Sequence, residues 1–272
     1  MTHGRQATAA GGYHGGMTQR LFILTGASRG MGLGLARQLL QPGHTLVCMA
    51  RHGVPKLAAS APEGAVLEQW AVDLSQPVQA AQRLQVWLTE QPADRYASAT
   101  LINNAGVIPR IAPLSACTSA EDMADQANAL RVGLEAPMLL TAAFLGATEA
   151  WASVARRVLN ISSGLGRRAM ASQAAYCAAK AGMDHFTRCL ALDEATKPHG
   201  ARVCSLAPGV IDTDMQVQLR GAHPADFPDQ QSFASLKTGD KLTSPEAAAA
   251  RVLAWLERAD FGSNPVADVR DA

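Results

Sequence analysis

Apolar residues in this chain fall in short bursts separated by longer stretches of mixed polarity. RLFILTGA (20–27) and HTLVCMAR (44–51) are continuous apolar runs of strand length. Between them, GMGLGLARQLLQPG starts at Gly30 and predicts a helix that Pro42 and Gly43 bring to an end. Further strands are expected at VLEQWAVDL (66–74), ATLINNAG (99–106), ARRVLNISS (155–163) and ARVCSLAPG (201–209). Each is followed by a segment long enough for a crossover. Strands that alternate with helices predict an α/β fold, a parallel sheet covered by helices on both faces.

No internal repeat or long linker divides residues 18–272, so one domain is expected there. The first sixteen residues, MTHGRQATAAGGYHGG, carry no periodic apolar face and read as a disordered tail, with Met17 as an alternative start. Two segments break the rhythm. LRGAHPADFPDQQSF (219–233) falls within a substrate loop expected at about 211–240, and FGSNPVADVRDA (261–272) is a tail expected to close the site.

Composition narrows the function classes. With 272 residues the chain can bury about 70–75% of its unfolded surface. Its 24 basic and 23 acidic residues nearly cancel, which argues against nucleic acid or a membrane surface as partner. The most apolar run, Ala136–Ala147, is too short to span a bilayer, and no signal-peptide pattern opens the chain. Five scattered cysteines read as reduced thiols of a cytoplasmic protein, and seven histidines show no metal-ligand spacing. The helices near 120–150 and 174–196 are apolar on more than one face, which predicts a homodimer or homotetramer.

Chemistry enters at the strand ends. TGASRGMG (25–32) follows the first strand and opens the first helix, the context in which glycines let backbone N–H groups approach a phosphate. Gly26, Ser28, Arg29, Gly30, Met31 and Gly32 are therefore candidate cofactor residues. An NAD site normally ends its second strand with a carboxylate on the ribose. Here that strand ends Met49-Ala50-Arg51, and Arg51 with Arg29 suits a 2′-phosphate, favouring NADP(H) over NAD(H). Asp73, with Leu74 beside it, stands where the adenine amino group is expected. Asn103, Ala105 and Gly106 of the NNAG turn fit a chain crowded against the cofactor.

AAYCAAKAG (174–182) places Tyr176 and Lys180 one helical turn apart on the same face. Ser163 lies thirteen residues earlier at the end of a strand, so all three can meet at the carboxyl edge of the sheet. Reduction of a carbonyl needs a hydride and a proton. A free phenol, with a pKa near 10, is a poor proton source at neutral pH, and a neighbouring ammonium is expected to lower that value. The serine hydroxyl can hold the substrate oxygen.

These residues resemble the short-chain dehydrogenase/reductase family. TGASRGMG, Asp73, NNAG, Ser163, YCAAK and Ala207-Pro208-Gly209 occur in the family's order over residues 20–215, about seven-tenths of the chain. The resemblance implies a single-domain, Rossmann-type doubly wound sheet. It makes Tyr176 the acid/base, Ser163 the group that polarises the carbonyl, and Lys180 a ligand of the nicotinamide ribose, with Tyr176 also at the cofactor. Pro208, Gly209, Val210 and Thr213 are implied to line the nicotinamide. One departure stands out: Gly133 occupies the place of the family's usual asparagine, which implies a weakened proton relay. Asn128, roughly 140° away round a helix, does not replace it.

Downstream, SLAPGVIDTDMQ, FPDQQSF and GDKLTSPEAAAARVL are similar to the sepiapterin reductase and benzil reductase branch. That likeness implies reduction of a ketone or vicinal diketone. It also implies Asp268, or failing that Asp271, as a substrate anchor in the acidic C-terminus. Leu165, Met170 and Met215 are candidates for an apolar pocket wall, and Arg167 and Arg168 for an acidic substrate. The alternative is a dinucleotide-binding sensor that keeps the fold without the chemistry.

Overall fold

The computed structural model describes residues 19–271, and the expectation of a disordered tail falls outside them. The apolar bursts become seven parallel strands: β1 (Gln19–Thr25), β2 (His44–Ala50), β3 (Val66–Ala71), β4 (Tyr96–Asn103), β5 (Ala155–Ile161), β6 (Arg202–Ala207) and β7 (Val266–Asp268). They form one sheet in the order β3-β2-β1-β4-β5-β6-β7. The intervening helices are α1 (Gly30–Leu39), α2 (Pro55–Ala59), α3 (Pro77–Thr89), α4 (Ala120–Leu130), α5 (Ala136–Ala147), α6 (Ala174–Ala195), α7 (Asp214–Gly221), α8 (Gln230–Thr238) and α9 (Pro245–Leu256).

Side chains alternate across the sheet because successive residues of a strand face opposite sides. On β1, Leu21 and Ile23 join a core with Leu84, Leu88, Leu140, Phe144 and Leu190 from α3, α5 and α6. Phe22 and Leu24 face the other way, toward Leu35, Leu39, Val252 and Leu256 of α1 and α9. Both faces of the sheet are thus buried around its inner strands, which is why β1 and β2 read as apolar runs. Ser119 and Ser244 fix where α4 and α9 begin, accepting from Asp122 N at 3.0 Å and Ala247 N at 3.2 Å. All five cysteines are free; Cys48, Cys117 and Cys204 are buried, Cys48 and Cys204 within the apolar core.

Three features depart from the sequence reading. Residues 211–240 are largely helical, since α7 and α8 flank the proline-containing stretch between them. The C-terminal segment contains β7, which pairs with β6 from Ser205↔Val266 to Ala207↔Asp268. At three residues, bounded by Pro265 and ending in a carboxylate, it presents no apolar run to read. The apolar run Ala136–Ala147 continues α4 into one helix of 28 residues, long enough to cross a bilayer but with 56% of its apolar 18-residue stretch buried within the protein, as in a core helix. Residues Arg131–Glu135 of that helix form a π-helical turn around Gly133.

Candidate active site

The strand order reverses between β1 and β4, whose flanking connections run to opposite faces, and a cleft of about 1160 Å³ opens at the carboxyl ends of these strands. Gly26, Ser28, Arg29, Gly30, Met31 and Gly32 line one side of it. Gly26 adopts φ +69°, and a Cβ there would stand 2.9 Å from the Ala105 Cα. A Cβ on Gly32 would stand 2.0 Å from the Gly26 carbonyl oxygen. Only glycine permits this cradle of backbone at the start of α1, and the cradle fits the phosphates of a dinucleotide. Asn104 fastens it to the β4 turn, donating its amide to the Thr25 carbonyl at 3.0 Å and the Gly26 carbonyl at 3.3 Å. Thr25 Oγ1 in return accepts from the backbone N–H groups of Asn104 and Ala105, each at 3.0 Å.

Ser163 follows β5 and caps a short 3₁₀ turn, its Oγ accepting from Leu165 N at 3.2 Å. From α6, Tyr176 brings its buried phenol into the same cleft as Ser163, close enough for the serine hydroxyl to act on its ionisation. Lys180 Nζ donates to the Ile161 carbonyl at 2.7 Å and lies 5.7 Å from the Tyr176 ring centre. Burial dominates both titrations. It pushes Tyr176 up to about 12, with the Ser163 hydrogen bond opposing, and pulls Lys180 down to about 8, with Asp184 opposing. The expectation that the ammonium would lower the phenol's pKa is therefore reversed. Loss of water around the phenol outweighs the neighbouring charge and decides the outcome.

Against this geometry, the short chain dehydrogenase family profile matches residues 20–223. The chain belongs to the short-chain dehydrogenase/reductase family. It is similar to a benzil reductase ((S)-benzoin forming) of Bacillus cereus, 33% identical over 91% of this chain and 98% of the relative. It is also similar to the sepiapterin reductase of Meriones unguiculatus, 30% identical over 94% of this chain and 98% of that one. A solved structure from Agrobacterium tumefaciens with bound NADP superposes with a TM-score of 0.73 at 26% identity, covering 93% of this chain and 96% of that one. Members of this family are oxidoreductases that use NAD(P)(H).

With the family assigned, each candidate residue can be placed. Arg51, Asp73, Leu74, Ala105, Gly106, Pro208, Gly209, Val210 and Thr213 all line the same cleft as the glycine cradle. Arg51 makes no salt bridge among the described residues, but its charge helps to hold Asp73 below the usual carboxylate range, after the hydrogen bonds from Ser75. Arg29 lines the cleft while pairing with Asp214 at 3.0 Å, an exposed contact worth about 0–1 kcal/mol and readily exchanged. Leu165 and Met215 also line the cleft, joined by the apolar Leu219, Phe233 and Leu236 of α7 and α8, which the apolar pattern alone does not single out.

Three expectations need correction. Asn103 does not present its side chain to the cleft. It is buried, donating to Asn160 Oδ1 at 2.9 Å and Thr141 Oγ1 at 3.2 Å, because an odd step along β4 turns it inward and gives the cleft to Asn104. Met170 is also absent from the cleft wall. Its backbone lies near the Cys177 thiol, one residue round α6 from Tyr176 and on a different face. Arg167 is committed elsewhere, to the Ala267 carbonyl at 2.9 Å and Asp184 at 3.5 Å. Asp268 does reach the cleft, but already paired. Arg270 approaches it with Nε at 2.7 Å and Nη2 at 2.6 Å, and this pairing holds the carboxyl below its ordinary pKa.

Proposed function

We propose that this protein is an NADPH-dependent carbonyl reductase that acts on a flat ketone or vicinal diketone. The observation that carries the reading is the convergence of Ser163, Tyr176 and Lys180 beside a glycine cradle in one cleft. Bound NADP(H) supplies the hydride. The chain's part is to hold the carbonyl oxygen on Ser163 Oγ, deliver the proton from Tyr176 Oη, and compensate the resulting phenolate with the Lys180 ammonium. At neutral pH both groups carry the proton this scheme needs, given values of about 12 and about 8. The carbonyl carbon gains the hydride, its oxygen gains the phenolic proton, and the phenolate is then reprotonated from water.

NADP(H) is preferred because β2 ends in Ala50 and the loop starts with Arg51, without a carboxylate that would repel a 2′-phosphate. A diketone such as benzil suits the site better than a pterin. The substrate end is walled by Leu165, Met215, Leu219, Phe233 and Leu236, and Asp268 is already satisfied by Arg270. Initial rates of NADPH and NADH oxidation with benzil, isatin and sepiapterin test the reading. NADPH-dependent turnover of benzil is expected, and tight NADPH binding without reduction of any of the three would favour a sensor.

A further inference from the structure

Asp184 is a carboxylate almost without solvent, 1% exposed, one helical turn beyond Lys180. Its Oδ1 accepts from Ser162 Oγ and Ser205 Oγ, both at 2.6 Å. Among the described residues its Oδ2 accepts no hydrogen bond, and it faces Arg167 Nε at 3.5 Å. A buried charge is costly unless paired, so the fold holds this one in place against a penalty.

The partners come from the segments that build the site. Ser162 directly precedes Ser163, and Arg167 closes the turn that Ser163 caps. Ser205 lies in β6, which delivers Pro208 and Gly209 to the cleft. Arg167 continues the tie to β7 through the Ala267 carbonyl. Gly166 crosses α6 so closely that a Cβ would stand 2.8 Å from Asp184 Oδ2 and 2.9 Å from the Lys180 carbonyl oxygen.

We propose that Asp184 is a positioning residue: it locks the turn bearing Ser163 onto the Tyr176–Lys180 face of α6 and is the counter-charge that keeps Lys180 an ammonium. This rests on the acid–base roles given above to those residues.

Lys180 needs such a partner. Burial favours the neutral amine, and Asp184 is the charge that opposes it. Among the described residues, no other charge acts appreciably on Lys180. The turn after β4 meets Nζ with Gly106, β5 offers the Ile161 carbonyl, and the π-helical turn sets Gly133 against Ala179. Tyr176 on α6 stays neutral up to about 12. Arg167, the remaining charge, is directed at Asp184 and offsets part of its field at Lys180.

The test is carbon-13 NMR titration of the lysine side chains in the full chain, which has five lysines, with Lys180 assigned by its absence in Lys180→Met. Asp184→Asn keeps an oxygen for both serines and removes the charge. It should lower the Lys180 midpoint by about one pH unit or more. Arg167→Gln, at a side chain 36% exposed, should raise that midpoint. The alkaline limb of kcat should move the same way in each variant. Superimposable Lys180 titrations overturn the proposal, whatever the variants do to Tm. If Asp184→Asn does not fold, the direction of the Arg167→Gln shift decides alone, and an unchanged or lowered midpoint overturns it. The titration requires no turnover, so failure of the wild type to reduce a carbonyl counts against the function and leaves this result intact.

Discussion

Lys180 Nζ sits 5.7 Å from the centre of the Tyr176 ring, and burial shifts the two groups in opposite directions, the phenol to about 12 and the amine to about 8. The shifts carry a signature in stability. Lysine in the unfolded chain titrates near 10.5, so between about pH 8 and 10 the folded protein binds fewer protons than the unfolded one, and stability rises with pH. Above about 10 Tyr176 opposes this, because the folded state keeps a proton that the unfolded state loses. The difference in unfolding free energy, wild type minus Lys180→Met, should therefore rise by about 2–3 kcal/mol from pH 8 to 10. Urea unfolding across that range checks it, and a flat difference contradicts a depressed Lys180.

Gly32→Ala introduces a Cβ at 2.0 Å from the Gly26 carbonyl oxygen, a distance no relaxation of a side chain can relieve. The turn must open. NADPH affinity should fall at least about tenfold, as expected for loss of more than about 1.4 kcal/mol of phosphate contacts, and calorimetric titration reads this directly.

Arg51→Ala removes the cation expected to meet a 2′-phosphate. A charge-assisted hydrogen bond is worth about 1.5–3 kcal/mol, so KM for NADPH should rise by about 10- to 100-fold while KM for NADH stays near its original value. Equal effects on both cofactors would assign Arg51 a role at the shared part of the dinucleotide.

Much of this site is legible in the sequence because strand ends carry it. Strands β1 to β5 are legible as largely apolar runs, and the residues just past them, Gly26, Arg51, Asp73, Ala105 and Ser163, are carried to one edge of the sheet by a parallel topology. Less legible is what depends on the direction of a side chain. Asn103 and Asn104 are adjacent and identical, and the pleat alone sends the first into the core and the second to the glycine turn. Asp184 looks like a polar residue of an amphipathic helix until Ser162 and Ser205 from distant strands are seen to meet on it. The pairing of Asp268 with Arg270 is equally hard to read, since Arg270 lies past the end of β7 and only the turn there brings its guanidinium back onto the carboxylate.

Gly133 provides a further test. Its position in the π-helical turn sets it against Ala179, and an added Cβ would lie 3.1 Å from the Ala179 Cβ. Gly133→Ala gains about 0.5–1 kcal/mol in backbone entropy and loses about 1–3 kcal/mol to overpacking, for a net destabilisation of about 1 kcal/mol. Chemical denaturation measures it. A stabilised variant would show that the α4–α5 helix moves off α6 without cost.

Proton delivery by Tyr176 is tested most directly by NADPH oxidation with benzil in wild type and Tyr176→Phe, alongside NADPH binding. Turnover should fall by about 10²–10⁴-fold in the variant, the usual contribution of a positioned general acid, with NADPH affinity nearly unchanged. Wild-type turnover in Tyr176→Phe would contradict the mechanism.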